Sequence, residues 1–378
     1  MKILFPFVGD SFGGSHRSII ELYKELEKDE CSPHIVLHHG SGPLSKTLKE
    51  EGIPYSLLEL HKLAGETPRL VEIAYRMIIN RYKIVKYIKE NNIDIVHGND
   101  LRINLTWSFA TKFTRAKYIW HQRTYLSTSS LWKLITYLCD HFIAISSYSM
   151  ENVPHNLPES KINLVLNPFD ITNKFEKECS KKKLITTYNL PENKFFIGYL
   201  GRFYKYKNVH NLIEAFFLVL EKREKVEFHL VLIGQGDEAY VNYLHALVER
   251  YQIASYVSFC GFHNNPMEAI CGFDMSVMLM ENEAFGRTLV EAMLQETALI
   301  AVRAGGHKEI IIDNVTGVFY SPGNINELVE KIEFLIDSPG KRKKIAKNGY
   351  DEAVKRYGAT VHSEAILSIY RNLTLNEG

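Results

Sequence analysis

Short apolar runs alternate with amphipathic stretches along the whole 378-residue chain, and this alternation constrains the fold more than any other feature. One series of strand-like runs extends from residues 3–8 to residues 162–166, and a second from residues 195–200 to residues 318–320. Strands that alternate with helices form parallel sheets with helices on both faces. Two consecutive series therefore predict an α/β fold of two doubly wound Rossmann-like domains, whose ligands bind at the carboxyl ends of the strands.

A charged segment, residues 170–194, separates the two series and ends at Pro191-Glu192-Asn193. Its many lysines and glutamates predict an exposed linker with one amphipathic segment at most. From about residue 338 onward the pattern favours helices. We therefore predict an N-terminal domain of residues 1–170 and a C-terminal domain of residues 171–357.

Composition excludes several classes of protein. The 45 Lys and Arg residues balance 44 Asp and Glu residues, so bulk charge gives no support for binding nucleic acid. The five cysteines lack the close spacing of a zinc ribbon or a disulfide framework, which favours a reducing compartment. Without a signal-like N-terminus or a run of 18 apolar residues, we expect a cytoplasmic protein.

The strongest motif is Glu283-Ala-Phe-Gly-Arg-Thr-Leu-Val-Glu291, which follows a predicted strand and opens a helix. Glu283 lies in the loop at the carboxyl end of that strand, and Gly286 allows a ligand to approach the backbone. The start of the helix offers unpaired N–H groups and partial positive charge. The alternative is a solvated loop glutamate followed by a glutamate on a helix surface.

A second motif, Gly201-Arg-Phe-Tyr-Lys-Tyr-Lys207, follows the first strand of the second series. Arg202 and Lys207 lie five residues apart across a turn, an arrangement that suits a diphosphate, because Arg forks onto oxygens and Lys adds a point charge. Lys205 is an alternative for the lysine role. A charged surface turn without a ligand is the other interpretation.

Two weaker signals occur in the first series. Gly13 and Gly14 form a strand-to-helix turn typical of a phosphate or substrate loop, although many such turns carry glycine for geometry alone. His121 ends a predicted strand at the ligand-binding edge, where a buried structural histidine is equally consistent with the pattern. His97 has a similar placement and is the rival candidate.

One apparent motif does not support a cofactor. Gly234-Gln-Gly236-Asp-Glu-Ala239 resembles a dinucleotide fingerprint, but no acidic residue lies between Glu249 and Glu268, where the ribose contact belongs. We interpret these glycines as a turn. No metal-ligand pattern is present in the sequence, so we predict neither a metal nor a cofactor.

Taken together, these residues resemble a retaining glycosyltransferase of family 4 with the GT-B fold, in which two Rossmann-like domains face each other across a cleft. The Glu-x7-Glu pattern is the hallmark of that family. Further segments that match its pattern are residues 13–14, 145–147, 165–170, 201–207, 234–236, 261–262, 305–310 and 314–323.

The resemblance implies roles in the second domain, which would bind a nucleotide-sugar donor. Arg202 and Lys207 would hold its diphosphate and stabilise the leaving nucleotide. Glu283 would contact the hydroxyls of the sugar, with backbone N–H groups of Phe285 and Gly286 nearby. Glu291 would bind the ribose hydroxyls.

The resemblance also implies roles in the first domain, on the acceptor side. Gly13 and Gly14 would border the phosphate or the acceptor, and His121 would lie beside the transferred sugar. The final helix, about residues 358–378, is expected to cross back onto this domain. The sequence departs from the family pattern at His16, where many relatives have Glu, and at the pair His307-Lys308.

The implied activity is metal-independent transfer of a sugar, with retention, to a hydroxyl of a glycan or lipid-linked acceptor, in cell-surface polysaccharide or lipopolysaccharide synthesis. The alternatives are a sugar-nucleotide epimerase or phosphorylase on the same scaffold, or a non-catalytic protein that binds nucleotide sugars.

A local excess of positive charge adds a hypothesis about membranes. Residues 68–134 contain twelve Lys and Arg residues against four acidic ones, interleaved with aromatic residues. The helical stretch 69–89 could lie on an anionic leaflet as a peripheral attachment. An ordinary solvated helix face is the alternative.

Overall fold

The computed structural model describes residues 1–29, 31–61, 70–124, 135–151, 153, 157–223 and 227–375. The chain forms two compact units, one of Met1–Asp170 with Gly358–Gly378 and the other of Ile171–Tyr357. Within the described ranges, no helix is both long enough and apolar enough to cross a membrane.

The first unit contains a seven-stranded sheet in the order β3-β2-β1-β4-β5-β6-β7. Its strands are β1 (Lys2–Phe7), β2 (Ser32–Leu37), β3 (Tyr55–Leu57), β4 (Ile95–Gly98), β5 (Lys117–Gln122), β6 (His141–Ala144) and β7 (Ile162–Leu164). The helices among them are α1 (Gly14–Leu26), α2 (Pro43–Glu50), α3 (Leu70–Glu90), α4 (Leu101–Thr111) and α5 (Ser147–Met150).

The second unit contains a six-stranded sheet in the order β10-β9-β8-β11-β12-β13. Its strands are β8 (Phe195–Leu200), β9 (Phe228–Ile233), β10 (Val257–Phe259), β11 (Met275–Met278), β12 (Ala298–Val302) and β13 (Val318–Tyr320). The remaining helices are α6 (Lys177–Tyr188), α7 (Val209–Glu221), α8 (Glu238–Arg250), α9 (Pro266–Cys271), α10 (Arg287–Leu294), α11 (His307–Ile310), α12 (Ile325–Asp337), α13 (Pro339–Tyr357) and α14 (Ala359–Leu375).

Hydrophobic periodicity explains these elements. In α1 the apolar residues Ile19, Ile20, Tyr23 and Leu26 recur at helical spacing, and all are buried in one core with residues of β1 and β2. The strand pairings recorded in both sheets are parallel, for example β1 with β2 and β8 with β9. The predicted pair of doubly wound parallel sheets is therefore confirmed.

The C-terminal helix α14 belongs to the first unit. Ile366, Leu367, Ile369 and Tyr370 are buried in the same core as α1 and β1. The chain enters this helix at Gly358, which forms an isolated bridge with Phe169 at the end of the first half. The expected return of the final helix is confirmed.

The prediction of an exposed linker over residues 170–194 is wrong in part. Residues 177–188 form α6, in which Ser180 and Leu184 are buried. Lys177 Nζ donates to the carbonyl oxygens of Cys271 (3.3 Å) and Phe273 (2.5 Å) of the second unit. The sequence conceals this packing because a lysine supplies it, burying its methylene stem while its ammonium group bonds backbone oxygens.

The first unit contains a histidine whose burial links stability to pH. Trp107 Nε1 donates to His38 Nε2 at 3.0 Å, and both residues are buried. Burial, reinforced by His39 and Arg102, lowers the pKa of His38 from 6.5 to about 4. The unfolded chain therefore takes up this proton first as the pH falls, so the stabilisation present above pH 6.5 is lost between pH 6.5 and 4.

We expect the free energy of unfolding of the first unit to fall by about 2 kcal/mol between pH 7.5 and 5.0 through His38 alone. His38→Gln, whose amide oxygen can accept from Trp107 at any pH, should remove this contribution to the pH dependence of the free energy of unfolding. Urea unfolding followed by tryptophan fluorescence isolates this unit, because Trp107, Trp120 and Trp132 all lie in residues 1–170. An unchanged pH dependence in the variant would contradict the assignment.

Candidate functional site

A cavity of about 50 Å³ lies at the carboxyl ends of β8 and β11 in the second unit. Its lining includes Lys207, Glu283, Gly286, Thr288 and His307. Three of the residues predicted from the two motifs, Lys207, Glu283 and Gly286, therefore meet here. The parallel sheet explains this meeting, because the loops that follow neighbouring strands emerge at the same edge.

An ion pair forms the polar centre of the cavity. Lys207 Nζ lies 2.8 Å from Glu283 Oε2, and both side chains are largely buried, with 19% and 28% of their surfaces exposed. Lys207 ends a turn of 3-10 helix, residues 205–207, which follows β8, and Glu283 lies in the loop after β11. Opposite charges in a partly dry pocket hold each other in place and remain available to a polar ligand.

Helix α10 begins directly at this ion pair. Gly286, its N-cap residue, has φ = +95°, a conformation that side chains other than glycine rarely adopt. No side chain caps the start of the helix among the described residues. The positive end of the helix dipole, with Gly286 and Thr288 in the cavity lining, therefore lies at the cavity.

The loop that carries Glu283 is held by a backbone contact with the loop that follows β12. The N–H of Gly306 donates to the carbonyl oxygen of Glu283 at 2.8 Å. A Cβ atom on Gly306 would lie 2.6 Å from the carbonyl oxygen of Ala284. Only glycine permits two backbones to approach this closely, which explains why the Gly305-Gly306 pair stands here.

His307 is a cavity residue that the sequence did not identify as a contact. Its Nδ1 atom lies 3.2 Å from the carbonyl oxygen of Val302, which can only accept, so Nδ1 carries the proton and Nε2 is left as an acceptor. Burial lowers its pKa below 6.5, and Glu283 opposes this shift only in part. The available signal was the departure of His307-Lys308 from the family pattern.

Four further residues of the two motifs, Arg202, Lys205, Phe285 and Glu291, do not line the cavity. Arg202 is exposed, with its guanidinium group 5.4 Å from the ring centre of Tyr204. Lys205 is exposed as well, which favours Lys207 for the predicted lysine role. Phe285 is buried against the ring of Tyr357. Glu291 is paired with Arg287 at 3.7 Å, and both side chains are largely buried, with 14% and 18% of their surfaces exposed.

The turn at Gly234 and Gly236 is confirmed as structural. A Cβ atom on Gly234 would lie 1.8 Å from the carbonyl oxygen of Gly201, and one on Gly236 would lie 2.0 Å from that of Phe203. These glycines let the loop after β9 pack against the loop after β8, and this contact supports the turn that carries Lys207.

In the first unit, Gly13 and Gly14 are exposed at the start of α1. His16 Nδ1 accepts a hydrogen bond from the N–H of Gly13 at 3.1 Å, and the ring packs between Phe7 and Phe12. A glutamate three residues after the N-cap commonly makes this same contact. His16 thus makes here the contact that a capping-box glutamate makes at a helix start.

His121 and its rival His97 are fully buried and bonded to each other, with His97 Nε2 3.0 Å from His121 Nδ1. Burial is the main cause that holds the pKa of each well below 6.5, and Arg123 adds to it. Among the residues that the structure describes, His121 Nε2 has no hydrogen-bonding partner. A buried polar atom without a partner costs free energy, which makes this nitrogen a candidate contact for a ligand.

Comparisons with known proteins agree with this geometry. Residues 12–173 match the family model "Glycosyltransferase Family 4", and residues 180–352 match "Glycosyl transferases group 1". The fold of Anabaena Alr3699/HepE, crystallised with UDP and glucose, superposes with a TM-score of 0.83 at 23% identity over 100% of both chains. This chain is a GT-B glycosyltransferase that resembles family 4.

Two curated relatives of this glycosyltransferase have different products. The N-acetyl-alpha-D-glucosaminyl L-malate synthase of Bacillus anthracis is 28% identical over 60% of this chain and 57% of its own length. The capsular polysaccharide biosynthesis glycosyltransferase CapM of Staphylococcus aureus is 26% identical over 63% of each chain. The matched regions thus span about three fifths of these relatives.

Sequence reasoning missed a polar network in the first unit of the glycosyltransferase. The guanidinium group of Arg123 donates to Asn99 Oδ1 at 3.2 and 3.0 Å and to Asn167 Oδ1. Asn99 Nδ2 in turn donates to the carbonyl oxygen of His97 at 3.0 Å. The network joins the ends of β4, β5 and β7, and the signal for it was a polar residue after each strand, Asn99 and Arg123 directly and Asn167 three residues on.

The Gly306 contact yields a steric prediction. Gly306 has φ = −67° and ψ = −11°, which alanine adopts readily. Gly306→Ala therefore tests only whether there is room for a Cβ atom. Displacing the loop of Glu283 should lower the free energy of unfolding by about 1–3 kcal/mol and reduce sugar transfer. Calorimetry and turnover check the two effects.

Gly340→Ala is the matched control. A Cβ atom there meets nothing within 4 Å in helix α13, so the change should add about 1 kcal/mol of helix stability and leave turnover alone. Equal behaviour of the two variants would contradict the proposed support of Glu283.

Proposed function

We propose that this glycosyltransferase moves a sugar, with retention and without a metal, from a nucleotide-diphosphate sugar to a hydroxyl of a glycan or lipid-linked acceptor. The observation that carries the proposal is the Lys207–Glu283 ion pair at 2.8 Å beside the start of α10. It brings a cation, a carboxylate and the positive end of a helix dipole together at one cavity. The second unit would bind the sugar donor, and the first would supply the acceptor side.

The charge arrangement suits departure of a nucleotide diphosphate. Negative charge develops on the leaving phosphate as the glycosidic bond breaks, and positive groups already in place stabilise it as it forms. Lys207 and the start of α10 lie at the cavity, and Arg202 belongs to the same turn, exposed and able to swing toward phosphate oxygens. These groups would supply the charge that a metal ion provides in other enzymes.

The carboxylates would recognise hydroxyl groups. Sugar hydroxyls are neutral hydrogen-bond donors, and an ionised carboxylate is their strong acceptor. Glu283 would contact the sugar, with Phe285 and Gly286 offering backbone N–H groups, and Glu291 would bind the ribose after release from Arg287. In the first unit, His121 would lie beside the transferred sugar, and Gly13 and Gly14 would border the phosphate or acceptor.

Cell-surface polysaccharide synthesis, with lipopolysaccharide among its products, is the process that we propose for this activity. The resemblance to a capsular polysaccharide glycosyltransferase supports that assignment. An epimerase or phosphorylase, or a protein that only binds nucleotide sugars, would use the same fold with a different outcome.

A panel of UDP-, GDP- and ADP-sugars tests the function, with release of free nucleotide diphosphate as the readout. UDP-glucose is the first compound to test, because the Anabaena structure contains UDP and glucose. Turnover that survives EDTA supports metal independence, and an α-linked product from an α-configured sugar donor supports retention. Binding without release from any compound would instead favour the non-catalytic protein.

The two glutamates should separate by kinetics. Glu283→Gln should lower kcat, because the contact strengthens as charge develops on the sugar. Glu291→Gln should raise the sugar-donor KM and weaken nucleotide binding, because a ribose contact is similar in the ground and transition states. A charged hydrogen bond contributes about 1.5–3 kcal/mol, so each loss should be roughly tenfold to a hundredfold.

Glu296→Gln is the matched control for these variants. Glu296 pairs with Lys174 at 2.6 Å in the same unit, away from the cavity lining, so its loss should leave both kinetic constants unchanged. Calorimetry with the nucleotide diphosphate measures affinity directly. A stronger loss of nucleotide affinity in Glu283→Gln than in Glu291→Gln would reverse the assignment.

Helix α3 supports our proposal of a peripheral contact with an anionic membrane surface. Its exposed residues Tyr75, Ile78, Tyr82, Lys86 and Lys89 recur every three or four positions and so share one face, opposite the buried Asn80, Ile84 and Ile88. Tyr75 is 63% exposed and Tyr82 is 70% exposed. Arg69, the first residue of the predicted stretch, and residues 125–134 lie outside the described residues.

Sedimentation with lipid vesicles at low salt tests this surface. Neutralising both lysines in Lys86→Gln/Lys89→Gln should weaken binding to phosphatidylglycerol vesicles by about 2 kcal/mol, roughly thirtyfold. Lys46→Gln is the control. Lys46 is exposed and lies 3.9 Å from a glutamate four residues further along the chain, but it belongs to α2 and not to α3. Equal recovery with neutral and anionic vesicles would reject the contact.

A further inference from the structure

A series of hydrogen bonds, the histidine relay, joins Tyr370, His97 and His121 in the buried centre of the first unit. The hydroxyl of Tyr370 lies 2.5 Å from His97 Nδ1, and His97 Nε2 lies 3.0 Å from His121 Nδ1. The three residues come from α14, β4 and β5, and none of them is exposed to solvent. The relay ends at His121 Nε2, which has no partner among the residues that the structure describes.

We propose that Tyr370, acting through His97, is a positioning residue that holds His121 in the tautomer with its proton on Nε2. His121 would then present a hydrogen-bond donor to its ligand. This inference deepens the proposed function and rests on it for the identity of that ligand, an oxygen of the transferred sugar.

The direction of the bonds follows from the chemistry of the two groups. A phenol is a strong hydrogen-bond donor whose oxygen accepts weakly, whereas an unprotonated imidazole nitrogen accepts strongly. Tyr370 therefore donates to His97 Nδ1. The single proton of a neutral His97 must then be on Nε2, where it is donated to His121 Nδ1, and the proton of a neutral His121 must be on its own Nε2.

The opposite direction is worse at the Tyr370 end of the hydrogen-bond chain. Tyr370 would accept from His97, so its own hydroxyl proton would be buried without a partner in the described part of the unit. His121 Nε2 would then carry a lone pair instead of a proton. In the direction proposed here, the unmet hydrogen-bond donor lies instead on His121 Nε2, the atom that the proposed function puts beside an oxygen of the transferred sugar.

The surrounding groups keep all three residues in the required protonation states. Burial, followed by the positive charge of Arg123 and the ring of His362, holds the pKa of His97 and of His121 well below 6.5. Burial raises the pKa of Tyr370 well above 10, an effect to which Cys31 adds and which Arg123 opposes. Neutral imidazoles and an intact phenol are therefore present throughout the neutral pH range.

The packing holds the rings in this arrangement. His97 lies against Phe5, with ring centres 5.4 Å apart, and meets the ring of Tyr370 at 90°. His121 stacks on His362 at 6.2 Å, and His362 Nδ1 lies 2.6 Å from the carbonyl oxygen of Leu166. Neither histidine of the relay can satisfy its nitrogens by turning to solvent, since both are fully buried.

Nitrogen-15 NMR of the full chain without ligand, labelled at histidine, reads the tautomers directly. His97→Gln and His121→Gln each remove one set of signals and thereby assign them. We expect both rings of the wild-type protein to carry the proton on Nε2. Tyr370→Phe removes only the hydroxyl, and both rings should then show a mixture of tautomers.

Tyr118→Phe is the matched control. Tyr118 is another fully buried tyrosine of this unit, and its hydroxyl donates to Asn104 Oδ1 at 2.7 Å, outside the relay. Its loss should leave the histidine signals unchanged. A wild-type His121 protonated on Nδ1, or an unaltered tautomer in Tyr370→Phe, would overturn the proposal, and the first result needs no variant to fold.

Turnover separates this inference from the proposed function. Loss of the preferred tautomer should lower kcat about two- to tenfold with the sugar-donor KM and nucleotide affinity unchanged, since one neutral hydrogen bond is affected. If the tautomers shift but Tyr370→Phe and His121→Gln turn over like the wild type, the relay stands and His121 leaves the proposed site. If the tautomers do not shift, the relay fails, whatever the activity.

Discussion

The contact between the backbones of Gly305-Gly306 and the loop of Glu283 sets the geometry of the whole second-unit site. Gly306 donates to the carbonyl oxygen of Glu283 at 2.8 Å, at a separation that no Cβ atom would allow. This contact holds the backbone of the loop that carries Glu283, whose carboxylate pairs with Lys207 at 2.8 Å. The same loop leads into Gly286, so the start of α10 inherits its position from this contact.

The first unit reaches a comparable rigidity through side chains. Arg123 joins Asn99 and Asn167, and so connects the loops that follow β4, β5 and β7. Its positive charge also lowers the pKa of His97 and His121. Arg123 thus organises the backbone around the histidines and adds to the burial that keeps them neutral, and a neutral pair is what a defined chain of hydrogen bonds requires.

The sequence predicted what depends on local patterns and on the rules of parallel sheets. Both sheets follow from hydrophobic periodicity, and the meeting of Lys207 with Glu283 follows from loops that share one edge. Tyr370 and His97 are 273 residues apart in the sequence, so hydrophobic periodicity gives no sign that they form a hydrogen bond. Helix α6 was misjudged because a lysine makes its anchoring contacts, and hydrophobic pattern alone does not reveal such packing.

The ion pair also constrains how the cavity can receive its ligand. Lys207 and Glu283 neutralise each other, so the cavity without ligand holds little net charge from this pair. Under the proposed function, an incoming diphosphate would bring negative charge that Lys207 would meet by sharing its ammonium group with Glu283. The start of α10 and the exposed Arg202 would then supply the balance. Lys207 and Glu283 would act on the same bound molecule, so the strength of either contact would depend on the other.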